Sequence, residues 1–201
     1  MTLRASTKPR KCRQCGAVFT PVRSLQAVCG PKCAEANAAK VRAQKAARAA
    51  KAEKKSMRER IEKAKTRADH LREAQTAVNA YVRLRDANDP CISCDRPPTW
   101  GGQWHASHYR AVGSNPGWRF NLLNIHRACS ICNAWKSGNL TEYRPRIIAK
   151  IGLERVEMLE QESPVRKFDI DYLKRLKAIF RKRVRRLERR FEREITRRDA
   201  A

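Results

Sequence analysis

Five polar side chains lie between or beside two cysteine pairs. His105, His108, Asn124 and His126 fall between Cys91-x2-Cys94 and Cys129-x2-Cys132, and Asn133 directly follows the last cysteine. An imidazole can take a proton from water or bind a cation, and an amide can bind a cation or orient its neighbours. One histidine as base, one cation to polarise a phosphate and stabilise the departing oxygen, and one orienting amide suffice for phosphodiester hydrolysis if rigidly held. The chemistry to expect is therefore metal-assisted attack of water. These polar groups could bind a metal ion and activate a water.

Rigidity must come from the cysteines. Four thiolates in two pairs suit one tetrahedral zinc. A second quartet, Cys12-x2-Cys15 and Cys29-x3-Cys33, has Gly16 and Gly30 directly after cysteines, where tight turns aim two thiolates at one ion. With four thiolates each, both sites have no open position and are structural. Val18, Phe19 and Val28 are the expected small core behind the first. The N-terminus has no apolar signal core and no apolar run reaches membrane-spanning length, so a cytosolic protein with zinc rather than disulfides is expected.

The remaining elements follow from pattern. Residues 32–89 contain neither Gly nor Pro and are rich in Ala, Lys, Arg and Glu, which favour helix. From Ala34 to Ser56 no buried face is visible, so this part is a solvated helix or a linker. Leu71, Val78, Tyr81, Val82 and Leu84 have helical spacing and should pack on the domain C-terminal to them, with Asp89-Pro90 ending the helix. All four tryptophans fall in 90–146 and are expected in the core around the metal rather than stacked on bases. Gln103 to Tyr109 reads as a strand, Arg110 to Pro116 as a loop, and Cys129 to Lys136 as the start of a helix. A short helix is expected over 147–162, broken by Ser163-Pro164. Asp169 is the candidate N-cap of a final helix to about Ile195. Its apolar stripe, Leu173, Leu176, Phe180, Val184, Leu187, Phe191 and Ile195, needs a partner; a homodimer is preferred over folding back on the chain.

The charge points to a polyanion. The chain carries 46 Lys and Arg against 20 Asp and Glu, a net +26. It is spread at about +7 over 1–33, +7 over 34–75, +5 over 76–146 and +7 over 147–201. A chain basic in every segment is drawn to nucleic acid along most of its length. Arg110, Arg119, Arg127, Arg181, Arg185 and Arg186 are the candidate DNA contacts. The competing reading is a ribosome-associated or membrane-surface protein.

The order CISC, WHASHYR, NIHRACSIC and CNAWK is similar to the HNH (ββα-metal) endonuclease pattern. That resemblance makes His108 the general base and Asn124 the residue that holds the loop and orients it. Asn133 would be a ligand of the catalytic Mg²⁺ or Mn²⁺, with His105 or His126 as further candidates, and Lys136 would lie near the scissile phosphate. Many such enzymes have Asp directly before the catalytic His; here it is Ser107. More widely, KCRQC…VCGPKC, AVNAYVRLRD, PCISC, QWHASHYR and RFNLLNIHRACSICNAWKSGN resemble the NinG (Rap) family of lambdoid phages, over about residues 10–195. Members carry a His or an Asp-type residue near position 105 and lack Asp before the catalytic His, which makes Ser107 a family trait.

The resemblance implies a structure-specific endonuclease for branched DNA such as Holliday junctions and D-loops, in phage recombination. It would work in the cytoplasm of an infected or lysogenic bacterial host, with host recombination proteins as candidate partners. The alternatives are a non-catalytic zinc DNA-binding protein, an HNH nuclease that reads sequence, and an RNA-binding zinc protein. The expected fold is α+β and mostly helical. It comprises a four-cysteine zinc finger (1–33), a basic helical linker (34–75), an HNH domain with its own four-cysteine zinc site (76–146), and basic C-terminal helices (147–201).

Overall fold

The computed structural model describes residues 8–199, which divide into two compact units, one ending at Ala64 and one beginning at Lys65. In the first unit, β1 (Arg10–Lys11) pairs antiparallel with β2 (Val18–Phe19). Between them the chain turns tightly through Gly16, whose φ of 77° is left-handed and suits glycine. Cys12 and Pro21 are buried, but Val18 is 66% exposed and Phe19 and Val28 are only half-buried. The expected apolar core is thus nearly absent: so short a module cannot enclose its own side chains, and an ion held by its four cysteines would supply the cohesion. Helix α1 (Pro31–Ala64) buries no residue, as its Ala, Lys and Arg content predicts.

The helix does not run on to residue 89. It stops at Ala64, and α2 (Arg67–Arg85) begins with a capping box. Thr66 Oγ1 accepts from the Asp69 amide at 3.3 Å, and Asp69 Oδ2 accepts from the Thr66 amide at 2.8 Å. These bonds satisfy donors that a fresh helix start leaves orphaned. The signal, Thr-x-x-Asp inside a run without Gly or Pro, was legible but hidden by strong helix propensity on both sides.

In the second unit, β3 (Trp104–His108) and β4 (Ile125–Cys129) form an antiparallel hairpin in which Ser107 faces His126 and His108 faces Ile125. After β4 comes a single π-helical turn (Ile131–Trp135), then α3 (Leu140–Ile151) and α4 (Leu153–Glu160). The helix expected over 147–162 starts earlier and is split at Gly152, whose φ of 89° breaks the α-helical run. Asp169 does cap the last helix, α5 (Ile170–Asp199), accepting from the Tyr172 amide at 2.7 Å.

Two cores flank the hairpin. One side packs Tyr109 and Ala128 against Tyr143 and Ile147 of α3 and against Val156 and Leu159 of α4. The other packs Ala106 and Ile125 against Val78 and Val82 of α2, which in turn meet Leu173 and Phe180 of α5. The start of the C-terminal stripe therefore folds back on the chain's own α2, the alternative to self-pairing. Burial falls off along α5: Leu173 and Phe180 are buried, Leu187 and Phe191 half-buried, and Ile195 is 59% exposed. Among the described residues no helix is long and apolar enough to cross a membrane.

Candidate active site

The cysteines bracket the hairpin. The Sγ atoms of Cys91, Cys94, Cys129 and Cys132 lie within 4.8 Å of one another, as do those of Cys12, Cys15, Cys29 and Cys33. The short pairs, 3.7 Å for Cys94–Cys129, 3.6 Å for Cys15–Cys29 and 3.5 Å for Cys29–Cys33, match a tetrahedral edge. Zn–S bonds of about 2.3 Å give an edge of about 3.8 Å, whereas a disulfide needs about 2.05 Å. The thiols fit zinc in both places. Backbone amides also aim at the sulfurs, Cys129 N–H at Cys91 Sγ (3.2 Å) and Cys29 N–H at Cys12 Sγ (3.4 Å). Arg96 Nη1 lies 3.3 Å from Cys129 Sγ, a cation beside the thiolates.

Strand alternation puts His105 and His126 on one face of the hairpin and His108 on the other. Ala106 points to α2, so His105 and Ser107 belong to the opposite face. The π-helical turn after β4 brings Asn133 to that face, and its amide nitrogen lies 3.0 Å from His105 Nδ1. His108 falls on the other side of the strand. Its Nε2 lies 3.0 Å from the Arg119 carbonyl, which only accepts, so Nε2 carries the proton and Nδ1 keeps a free lone pair. Burial pushes the His108 pKa below the ordinary histidine range, partly opposed by that hydrogen bond.

Asn124 holds the loop that delivers the Arg119 carbonyl. Fully buried, it accepts from the Arg110 amide at 2.7 Å and donates to the carbonyls of Arg110 (3.1 Å) and Trp118 (3.3 Å). This is a loop-closing and orienting role in geometric terms.

Among the described residues His126 hydrogen-bonds to Tyr143 and not to Asn133. It is buried, with Nδ1 3.3 Å from the Tyr143 hydroxyl, which donates to the Ser107 carbonyl at 3.2 Å. Desolvation, helped by Lys150, pushes its pKa down to about 3. It is a neutral core histidine, and the candidate metal pair is His105 with Asn133. Ser107 is buried as well.

Arg127 also departs from expectation. It is buried, donates to the carbonyls of Asp86, Ala87 and Asp89, and stacks 3.6 Å over Trp104. It clamps β4 to the end of α2 and has no face for DNA. Arg110 and Arg119 are half-buried, while Arg181, Arg185 and Arg186 are exposed on α5. Lys136, which closes the π-helical turn, is exposed.

Sequence reasoning missed the hub beneath this site. Asp86 is buried and accepts from Arg85 (2.7 and 2.8 Å) and from the Arg127 amide (3.1 Å), with Lys150 at 3.3 Å. Arg85 also donates to the carbonyls of Leu122 (3.1 Å) and Ile125 (2.7 Å). Burial alone would raise the Asp86 pKa; the Arg85 bonds outweigh it and hold the carboxyl below its usual range. The signal was the adjacent Arg-Asp pair closing an otherwise apolar helical stripe.

Fold and site together define an α+β protein with two zinc-fitting cysteine quartets, a polar hairpin centre and strongly basic helices. The family described as "Bacteriophage Lambda NinG protein" matches residues 4–192. The chain is 34% identical over 190 residues to Protein ninG of Escherichia phage lambda, covering 87% of this chain and 91% of that protein. It is 33% identical over 195 residues to Protein ninG of Salmonella phage P22, covering 90% and 94%. The chain belongs to the NinG family of phage proteins. No solved structure matches it.

Proposed function

We propose that this chain is a metal-dependent, structure-specific endodeoxyribonuclease of the HNH (ββα-metal) type. It would cut branched recombination intermediates, four-way junctions and D-loops, in the cytoplasm of the infected or lysogenic host. The observation that carries the reading is the histidine geometry: His108 presents a free Nδ1 in a fixed tautomer, and His105 pairs with Asn133 beside the cysteine-stapled turn.

His105 Nδ1 and the Asn133 amide oxygen would hold the cation; a 180° rotation of the Asn133 amide puts Oδ1 where Nδ2 now stands. When bound, the cation would polarise the scissile phosphate and stabilise the departing oxygen. An imidazole ligand suits Mn²⁺ better than Mg²⁺, which prefers an all-oxygen shell. His108 is the candidate base: as the last residue of β3 it would meet the metal-side water around the end of the strand, where Nδ1 would take the proton, and its lowered pKa keeps it neutral at neutral pH. Asn124 fixes the Arg119 carbonyl, which fixes the imidazole. Lys136, exposed at the end of the turn, is available to a phosphate.

Net charge supports a DNA substrate, and α5 supplies an exposed arginine surface for a duplex arm. The distal stripe of α5 supports a homodimer, which would give a junction two active sites. Light scattering with and without residues 188–201 tests this; the deletion spares the part of α5 that unit 2 needs, and a monomeric full-length protein would defeat it. Host recombination proteins are the candidate partners that would recruit the enzyme.

The decisive assay is cleavage of a four-way junction against a matched linear duplex, with Mn²⁺ or Mg²⁺, for wild type and His108→Ala. Wild type should cut the junction and the variant should not. Cutting of a linear duplex at one site would favour a sequence-reading nuclease, and no cutting by wild type would favour a non-catalytic binding protein.

A further inference from the structure

The four tryptophans do not share one role. Trp118 is buried; Trp104 lies beneath the Arg127 guanidinium, and Trp100 meets Trp104 edge-to-face at 5.5 Å. Trp135 is 84% exposed and has no ring or cation partner among the described residues. Tryptophan is highly buried on average and is the largest apolar side chain, so leaving this ring in water forgoes a sizeable stabilisation.

Its placement is specific. Trp135 lies two residues after Asn133 in the same π-helical turn and directly precedes the exposed Lys136. The turn beneath it is braced: the amides of Lys136, Gly138 and Asn139 donate to the carbonyls of Ile131 (3.1 Å), Cys132 (2.8 Å) and Lys136 (2.7 Å). Asn139 Nδ2 also donates to the Ser93 carbonyl at 2.8 Å, tying the turn to the first cysteine knuckle. The ring therefore projects from a rigid base, the same turn that carries Asn133, and not from a floppy loop.

We propose that Trp135 is a stacking platform for an unpaired nucleobase of the bound nucleic acid. The inference rests on the nucleic-acid reading above and adds what that reading lacks, a reason for preferring branched over matched DNA. Every base has a π-face, so one aromatic ring grips an unstacked base whatever its sequence, while the neighbouring lysine takes the phosphate. In a matched duplex the base faces are already covered by their neighbours. At a branch or in a single strand they are exposed, and only there does the ring gain a partner. A protein partner would also cover an exposed ring, but the flanking Lys136 and a net charge of +26 favour a nucleic acid.

The test uses binding alone, with Ca²⁺ in place of Mg²⁺ or Mn²⁺. Fluorescence anisotropy compares a twelve-residue oligothymidylate with an abasic strand of the same length, for wild type, Trp135→Ala and Trp135→Phe in the full chain. Wild type should prefer the base-bearing strand, and Trp135→Ala should lose about 5- to 150-fold on it, the range of one base–aromatic contact. The alanine variant should bind the abasic strand as wild type does, and Trp135→Phe should recover most of the loss. Equal weakening on both strands, or no weakening on either, overturns the proposal; the latter would leave the ring to a protein partner. Loss of junction cleavage by wild type would refute the nuclease reading without touching this result.

Discussion

The two cysteine quartets offer the same four thiolates to a metal, yet they lie in very different surroundings. In the N-terminal module Cys15 and Cys29 are exposed, and the apolar side chains around them, such as Leu25 at 89% exposure, stay in water. In the hairpin Cys91, Cys129 and Cys132 are buried and belong to a core with Tyr143, Ile147 and Leu159. The first site would have little besides an ion to hold it. The second would share the work with apolar burial and with the Asp86 hub, and an ion there would fix the turn that carries Asn133 and Trp135. The ligand chemistry is one; its consequence depends on what surrounds it.

Removing metal should give the largest effect and the sharpest contrast. Zinc binding to small modules is worth roughly 10–16 kcal/mol of folding free energy. Elemental analysis should find two zinc ions per chain. On titration with a chelator, limited proteolysis should open residues 8–30 before 91–139. Simultaneous opening would break the comparison, and a single zinc would remove one of the sites.

Next comes His108→Ala. Loss of a general base should lower cleavage about 10²- to 10⁴-fold while both zinc ions and DNA binding are retained. Unchanged cleavage would remove His108 from the mechanism. Replacing His105 by Asp, an all-oxygen ligand, should shift the metal preference from Mn²⁺ towards Mg²⁺.

Asp86→Ala tests the support that the first site lacks. It leaves Arg85 buried without its carboxylate and should destabilise the second unit by about 3–5 kcal/mol in urea unfolding, with zinc retention at Cys12–Cys33 unaffected. A change under about 1 kcal/mol would mean that the hub is ornamental.

The smallest effect is in pH. A base works when neutral, so activity persists above its folded pKa and fades as pH falls through it. Because burial lowers the His108 pKa, the acid limb of the cleavage profile should lie below the usual histidine value of about 6.5. A limb at or above that value would contradict the buried site.

Much of this molecule is written in local order. Paired cysteines with glycine turns, the long run without Gly or Pro, the Asp169 cap and the excess of Lys and Arg all act over a few residues or as a sum, so the chain alone determines the thiolate quartets, the helical character and the strong positive charge. Partners across the fold are another matter. The hairpin register, not spacing, sends His105 to Asn133, turns His108 to the Arg119 carbonyl and buries His126 against Tyr143. Likewise α2, and not the sequence around Arg127, makes that arginine a clamp, and only the bracing of the π-helical turn leaves Trp135 in solvent. A side chain's chemistry is local, but its burial and its neighbours are set by segments that meet through space, and that meeting is decided by tertiary packing.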